Sequence, residues 1–212
     1  MALKIYEIFH SLQGETSRIG LPTVFVRLTG CPMRCTYCDT EYAFSGGGNM
    51  EIADILQKIA EFGTRFVTVT GGEPLAQKEC YTLLKTLCDA GYSVSLETGG
   101  AMDISPVDAR VSIILDIKTP ASNEEKNMRW DNLNHVSNKD EIKFVICNRA
   151  DYDWAKAKLI ELKLIEKCPV LFSPSYHDLK ADELASWVLA DQLPVRMQIQ
   201  LHKILWGEKA GV

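Results

Sequence analysis

Short apolar runs rich in β-branched residues alternate with helical apolar patterns along this chain of 212 residues. Such runs are typical of strands. The predicted strands cover residues 23–28, 65–70, 93–97, 111–117, 141–147, 169–172 and 195–201. Between several of them the apolar residues follow the spacing of an amphipathic helix, as Ile52, Ile55 and Ile59 do. This alternation indicates right-handed βαβ units and a parallel sheet.

The length of the chain limits how far such a sheet can close. A complete eight-fold barrel usually needs about 250 residues, and only about six units fit here. We therefore predict an α/β fold, an abbreviated and partly open parallel (β/α) barrel of about six units, formed by one domain over residues 1–212. A doubly wound open sheet is the alternative, and periodicity does not separate the two. In both architectures ligands bind at the carboxyl ends of the strands.

The composition does not favour a nucleic-acid partner or a membrane protein. The formal net charge is −5, whereas binding to a phosphate backbone normally requires a basic surplus. The first residues, with Glu7 and His10, do not resemble a signal peptide, and no window approaches the ~18 apolar residues of a membrane helix. The seven cysteines are an odd number, which does not favour a disulfide framework. We therefore expect a cytoplasmic protein whose cysteines bind metal or pack in the core.

Polar and glycine-rich segments follow most of the predicted strands. Residues 30–40 follow the first, 71–74 the second, 97–100 the third, 116–118 the fourth and 173–177 the sixth. Because the carboxyl ends of parallel strands meet at one edge of a sheet, we expect these segments to form a single site.

Three cysteines lie close together after the first predicted strand, at Cys31, Cys35 and Cys38. A structural zinc site needs four ligands, and iron–sulfur clusters usually take four cysteines. Three thiolates leave one iron of a cluster with an open position, as a catalytic metal site requires. A zinc site or three unconnected thiols are the alternatives. The other cysteines are predicted to pack in the core: Cys80, Cys88, Cys147 and Cys168.

The Cys-x3-Cys-x2-Cys spacing, with the aromatic Tyr37 before the last cysteine, resembles the signature of the radical S-adenosylmethionine superfamily. The resemblance implies a [4Fe-4S] cluster on these three cysteines, with S-adenosylmethionine chelating the open iron. Electron transfer from the reduced cluster then yields a 5′-deoxyadenosyl radical. The turn Gly71-Gly72-Glu73-Pro74 resembles a second motif of the superfamily and implies that Gly72 and Glu73 belong to the cofactor pocket. Glycines there let a ligand approach the backbone closely.

The same resemblance implies cofactor contacts at other strand ends. Lys118 would pair with the methionine carboxylate, and Asp116 or Thr98 would contact the ribose. A surface lysine at a strand end is the alternative for Lys118. The remaining implied cofactor contacts surround the adenine: Tyr37, Asp39, Ser173 and Tyr176.

Three further segments are similar to the 7-carboxy-7-deazaguanine synthase family. They are residues 8–15 (Ile-Phe-His-Ser-Leu-Gln-Gly-Glu), the triplet 38–40 (Cys-Asp-Thr) and residues 200–207 (Gln-Leu-His-Lys-Ile-Leu-Trp-Gly). This resemblance implies conversion of 6-carboxy-5,6,7,8-tetrahydropterin to 7-carboxy-7-deazaguanine with loss of ammonia, a lyase reaction of queuosine and deazapurine biosynthesis. The family also implies a homodimer and an electron donor such as flavodoxin.

The resemblance assigns ligand roles to particular residues. It implies that Thr40 ligates Mg²⁺, which keeps several waters in its shell, whereas a turn cap is the alternative for this threonine. The implied substrate contacts lie at both ends of the chain and on two strands: Leu12, Gln13, Gly14, Glu15, Arg27, Thr70 and His202. Arg27 is a fork-shaped cation suited to a carboxylate or a ring carbonyl. For His202 simple packing is the alternative.

Two other functions share part of these patterns. A glycyl-radical-enzyme activase has the same cysteine spacing and glycine turn, but the segments at 11–15 and 200–203 do not favour it. An electron carrier or iron–sulfur scaffold would not need an open iron or a polar rim of strand ends.

Overall fold

Nine strands and five α-helices make up the part of the chain that the computed structural model describes, residues 1–209 and 211–212. The strands are β1 (Ala2–Leu12), β2 (Pro22–Leu28), β3 (Gly48–Glu51), β4 (Phe66–Gly71), β5 (Ser93–Thr98), β6 (Ser112–Ile117), β7 (Glu141–Ile146), β8 (Val170–Pro174) and β9 (Arg196–Met197). The helices are α1 (Ile52–Ala60), α2 (Glu79–Asp89), α3 (Arg149–Glu161), α4 (Ala181–Ala190) and α5 (Leu201–Trp206).

All nine strands form one sheet in the order β3-β1-β2-β4-β5-β6-β7-β8-β9. From β2 to β9 the neighbours are parallel and follow one another in chain order. A doubly wound sheet reverses the order of its parallel strands. The parallel strands of this sheet do not reverse, and only the antiparallel β3 lies on the other side, next to β1. β3 and β9 stand at the two edges, so the barrel is partly open, and the predicted fold class is confirmed.

The two ends of the sheet differ from the prediction. The antiparallel strands β1 and β3 were not predicted, because β1 contains a bulge that interrupts its alternation of polar and apolar residues. The predicted strand at 195–201 is wrong in its second half, since only Arg196–Met197 pair with β8. The chain then turns away from the sheet, and the Leu201 amide donates to the Gly14 carbonyl at 3.0 Å. Contacts with the segment around Gly14 therefore replace strand pairing in the second half of this range.

The two faces of the parallel strands have different chemistry. Val67 and Val69 on β4, like Phe144 on β7, are completely buried on the face that the helices cover. The residues between them point to the other face, as Thr68 and Lys143 do, because side chains alternate along a strand. Helices α1 to α4 each bury an apolar face, for example with Leu84 of α2. The apolar core therefore lies between sheet and helices, and the polar face is left for a site. None of the helices in the described part of the chain is both long and apolar enough to span a membrane.

Candidate active site

A cavity of about 730 Å³ opens at the carboxyl ends of the parallel strands. The cysteine loop lies on one side of it, the polar face of β4 to β8 forms its floor, and the segment around α5 lies across its mouth. Every residue to which the sequence assigned a metal, cofactor or substrate contact lines this cavity, with the exception of Glu73. Residues at the head, middle and tail of the chain are thus brought together.

The cysteine loop is anchored to the segment that follows β6. The Arg34 amide donates to Glu124 Oε1 at 2.7 Å, and the Thr36 hydroxyl donates to the Ala121 carbonyl at 2.7 Å. The Arg34 guanidinium also stacks on the Phe44 ring, 4.3 Å from its centre. These contacts fix the loop backbone and direct its thiols toward the cavity.

The three thiols suit a cluster better than a single metal ion. Cys31, Cys35 and Cys38 are half-buried, form no disulfide and line the same cavity. Within residues 1–209 and 211–212, no three His, Cys, Asp or Glu side chains are placed to hold one ion. Ligands around a four-iron cluster stand further apart than those around one zinc. Burial raises the pKa of the Cys35 thiol to about 11, so ligand binding must displace a proton there.

Gly72 makes the close approach between the glycine turn and the cysteine loop possible. A Cβ at this position would lie 2.4 Å from the Gly30 carbonyl oxygen and 2.5 Å from the Cys31 Cβ. The neighbouring Glu73 amide donates to the Gly30 carbonyl at 2.9 Å. Gly72 therefore brings the backbone against the first cysteine at the wall of the cavity.

The structure places Glu73 behind the cavity wall. Its carboxylate is fully buried and accepts hydrogen bonds from the Gly99 amide at 2.8 Å, the Leu75 amide at 3.1 Å and the Thr98 hydroxyl at 2.9 Å. Burial raises the pKa of Glu73, and these donors oppose that rise. Glu73 holds the ends of β4 and β5 together, and its assignment as a cofactor contact stays a prediction.

The side of the cavity next to the cysteines suits a polar cofactor. Lys118 Nζ lies 2.9 Å from Asp116 Oδ2 and 5.6 Å from the centre of the Tyr37 ring. In the described part of the chain, the Tyr37 hydroxyl, Asp116 Oδ1 and Ser173 Oγ are buried without a hydrogen-bond partner. Buried polar atoms normally have partners. All three residues line the cavity, so these atoms fit the hydroxyl groups and ring nitrogens of S-adenosylmethionine.

The cavity also contains a row of buried charges. Lys143 Nζ lies 2.6 Å from Glu15 Oε2 and 3.8 Å from Asp116 Oδ2. Gln200 Nε2 donates to the other oxygen of Glu15 at 2.9 Å. Burial is the largest single influence and would raise the pKa of Glu15, but Lys143 together with Gln200 and His202 holds this pKa below its usual value. Burial would lower the pKa of Lys143, but Glu15 and Asp116 oppose this effect, and the pKa of Lys143 lies above its usual value.

Glu97 and its neighbours form the floor between the two sides. The Thr70 hydroxyl donates to Glu97 Oε2 at 2.9 Å, and Gln13 Nε2 donates to Oε1 at 3.2 Å. Burial and the nearby Glu15 raise the pKa of Glu97. Glu97 therefore holds its proton more tightly than the neighbouring Glu15 does.

The segment around α5 forms part of the cavity wall. Lys203 Nζ lies 4.6 Å from the centre of the Tyr176 ring and 3.8 Å from Asp39 Oδ2. His202 packs so closely on Gly14 that a Cβ there would lie 2.1 Å from its Nδ1. Burial lowers the pKa of His202, which favours its neutral form. Thr40 donates from its hydroxyl to Asp39 Oδ1 at 3.0 Å beside the mouth.

Several polar residues of the cavity were not assigned a role from the sequence, among them Glu97, Lys143 and Gln200. Lys143 stands between the buried Ile142 and Phe144, and such a charge on the alternate face of an apolar strand is a signal that could have identified it. Glu97 carries a similar signal, because it is a charged residue that follows the buried Leu96 at the end of a predicted strand. Gln200 carries no such signal, because its role depends on the turn away from β9.

We predict that Gly72→Ala destabilises the chain and weakens cluster assembly, because the new methyl group must displace the cysteine loop. Overpacking of this kind costs ~1–3 kcal/mol. Urea unfolding and iron content per chain after anaerobic reconstitution measure the two effects. Gly48→Ala is the matched control, since a Cβ at Gly48 meets nothing within 4 Å. Equal stability and iron content in the two variants would contradict the tight contact described for Gly72.

Comparison with known proteins agrees with this arrangement. Residues 25–121 match the model of the radical SAM superfamily. The 7-carboxy-7-deazaguanine synthase of Chlorobaculum tepidum is 44% identical over 98% of this chain and 96% of its own, and that of Koribacter versatilis is 42% identical over 99% and 100%. The crystal structure of QueE from Escherichia coli shares the fold, with a TM-score of 0.78, 23% identity and 95% coverage of both chains. The chain therefore belongs to the 7-carboxy-7-deazaguanine synthase family, within the radical S-adenosylmethionine superfamily.

Proposed function

We propose that this chain converts 6-carboxy-5,6,7,8-tetrahydropterin to 7-carboxy-7-deazaguanine with loss of ammonia, as a step of queuosine or deazapurine biosynthesis. The observation that carries the proposal is one cavity that joins three cysteines on one side to Arg27, Glu15 and Gln13 on the other. The full-length similarity to proteins named 7-carboxy-7-deazaguanine synthase supports the same reaction. This similarity does not favour the alternative functions, a glycyl-radical-enzyme activase or an electron carrier.

Membership of the superfamily implies that this enzyme uses a [4Fe-4S] cluster and S-adenosylmethionine. When bound, they supply the radical that abstracts hydrogen from the substrate. Cys31, Cys35 and Cys38 would hold the cluster. The residues that we assign to the cofactor are Tyr37, Asp39, Gly72, Asp116, Lys118, Ser173 and Tyr176, which line the cavity, and Glu73, which would act on the cofactor from behind the cavity wall.

The substrate side of the site works through fixed polar groups. The residues that we assign to the pterin are Leu12, Gln13, Gly14, Glu15, Arg27, Thr70 and His202. Lys143 holds a proton at Nζ, 2.6 Å from Glu15 Oε2, which keeps Glu15 ionised as an acceptor for ring N–H groups. Arg27 donates N–H groups to the carboxylate. The segment around α5 contributes Gln200, His202 and Lys203 to the lining of the same cavity.

The test is turnover by the anaerobically reconstituted chain with dithionite, S-adenosylmethionine, Mg²⁺ and 6-carboxytetrahydropterin. We expect 7-carboxy-7-deazaguanine by mass spectrometry, and ammonia in equal amount. Release of 5′-deoxyadenosine without the deazaguanine would keep the superfamily chemistry and refute the proposed substrate. A reaction without the pterin serves as the control.

We also assign Mg²⁺ to Thr40, whose hydroxyl oxygen lies at the cavity mouth beside Asp39. We predict that Thr40→Val raises the Mg²⁺ concentration for half-maximal turnover by at least about tenfold, because one ligand is lost. A titration of turnover with Mg²⁺ measures this. Thr82→Val on the exposed face of α2 is the control. An unchanged titration curve for Thr40→Val would leave Thr40 a simple turn residue.

The remaining proposals concern the state of the protein in the cell. One sheet and one main core support a single domain over residues 1–212, of which Ala210 lies outside the described residues. Seven free cysteines support a cytoplasmic location. The exposed Ile204 and Leu205 on α5 support a homodimer, which sedimentation would measure. The cluster needs a low-potential reductant, and we propose an electron donor such as flavodoxin.

A further inference from the structure

Glu7 occupies a position on β1 that the strand pattern alone would make apolar. Leu3 and Ile5 point into the core, with 1% and 4% of their surface exposed, and strict alternation would send Glu7 to the same face. A bulge prevents this, because β1 advances by two residues between Ile5 and Glu7 while β2 advances by one, from Leu28 to Arg27. Ile8 then takes the next core position. Bulges often re-aim a side chain beside an active site.

The bulge places Glu7 directly against Arg27. Arg27 Nε donates to Glu7 Oε1 at 2.8 Å, and the Tyr42 hydroxyl donates to the same oxygen at 3.3 Å. The guanidinium carbon lies 5.7 Å from the centre of the Phe9 ring and 5.8 Å from that of Tyr42. The guanidinium is thereby held by one ion pair and two aromatic rings.

This arrangement uses only one edge of the guanidinium. Within the described residues, Arg27 makes its hydrogen bond through Nε, and Nη1 and Nη2 have none. Arg27 lines the cavity, whereas Glu7 does not. The two terminal nitrogens of Arg27 are therefore left for a ligand. Glu7 lies outside the cavity lining and fixes the orientation of the guanidinium plane.

We propose that Glu7 is a positioning residue for recognition of the substrate carboxylate, an inference that rests on the proposed function. Glu7 offsets the charge of Arg27, so the pair attracts anions less strongly than an unpaired guanidinium would. Two parallel N–H donors in a fixed plane favour a planar carboxylate instead. Glu7 thus contributes to selection of a carboxylated pterin over a pterin that lacks this group.

The test compares two ligands on the anaerobically reconstituted chain with S-adenosylmethionine. 6-Carboxypterin carries the carboxylate and pterin does not, and their fluorescence reports binding without turnover. We expect Glu7→Ala to weaken binding of 6-carboxypterin about tenfold, since a charge-assisted hydrogen bond to the guanidinium is lost, and to leave pterin binding unchanged. In turnover assays KM should rise by a larger factor than kcat falls.

Two further variants separate position from charge. Glu7→Gln keeps an oxygen at the same distance and should retain most of the preference for 6-carboxypterin. Glu7→Asp keeps the charge, but its shorter side chain moves the carboxylate away from Arg27. This variant should therefore lose the preference for 6-carboxypterin, as Glu7→Ala does. This pair decides the question even if Glu7→Ala does not fold. Glu61→Gln, on the exposed end of α1, is the control.

The outcomes distinguish this inference from the proposed function. Equal weakening of both ligands by Glu7→Ala and Glu7→Asp would show a merely structural role, and no weakening of either would show no role. Arg27→Ala tests the underlying assignment, because it should abolish the preference for 6-carboxypterin. If the wild type shows no preference at all, the assignment of Arg27 to the carboxylate fails together with the role of Glu7.

Discussion

Cys35→Ala is expected to remove the iron–sulfur cluster and to reduce turnover below detection. The loop offers three thiolates, at Cys31, Cys35 and Cys38, and a cluster that already lacks a fourth protein ligand is not held by two. The loop itself should stay in place, because its anchors at Arg34 and Thr36 do not use the Cys35 side chain. Iron and sulfide per chain, together with release of 5′-deoxyadenosine, measure the loss.

The matched control for this variant is Cys88→Ala. Cys88 is also half-buried, but it lies on α2, outside the cavity. It should keep full iron content and turnover. A Cys35→Ala protein with the iron content and activity of Cys88→Ala would mean that the cysteine loop is not the ligand set, and the cofactor assignment would have to be abandoned.

Lys143→Met is expected to destabilise the fold and to reduce turnover together. Lys143 Nζ lies 2.6 Å from Glu15 and 3.8 Å from Asp116, and methionine removes this charge while keeping an apolar side chain. Removing one partner of a buried ion pair typically costs ~3–5 kcal/mol, because the other charge stays buried and unpaired. Misplacement of Glu15 should lower turnover about a hundredfold. Urea unfolding and steady-state kinetics measure the two losses.

The pH dependence of Lys143→Met follows from the carboxylate that it leaves unpaired. In the wild type the pKa of Glu15 is lowered, so its stabilisation is present above the unfolded pKa and is lost as pH falls through the folded pKa. Without Lys143, burial raises the pKa of Glu15, and the carboxyl becomes protonated at higher pH. The difference in unfolding free energy between wild type and variant should therefore shrink as pH falls through the range where Glu15 takes up its proton.

Lys85→Met is the control for the loss of a lysine ion pair. Lys85 pairs with Asp89 at 2.6 Å on the exposed surface of α2, with 62% of its side chain exposed. Exposed pairs contribute little, so its unfolding free energy should change by less than about 1 kcal/mol. If Lys143→Met were as stable and as active as Lys85→Met, the buried row of charges would have no role in holding the site.

The local pattern of the sequence was sufficient to predict the parallel sheet and the edge at which the cavity lies, whereas the substrate residues were assigned through the resemblance to the synthase family. Strand and helix periods and the spacing of Cys31, Cys35 and Cys38 are set by residues within a few positions of one another. Parallel strands necessarily bring their carboxyl ends to one edge. Segments far apart in the sequence, such as those of Gly72 and Lys118, could therefore be assigned to one site before the structure was known.

The tertiary structure alone decided which partners the charged side chains meet. Lys143 and Glu15 are 128 residues apart, and no local spacing predicts their contact. Glu73 faces the Gly99 amide instead of the cavity, and the bulge in β1 turns Glu7 to Arg27. A side chain's direction depends on register, bulges and the packing of other elements, which are long-range properties. The sequence determined where the site would be, and the packing determined which residues position its ligands.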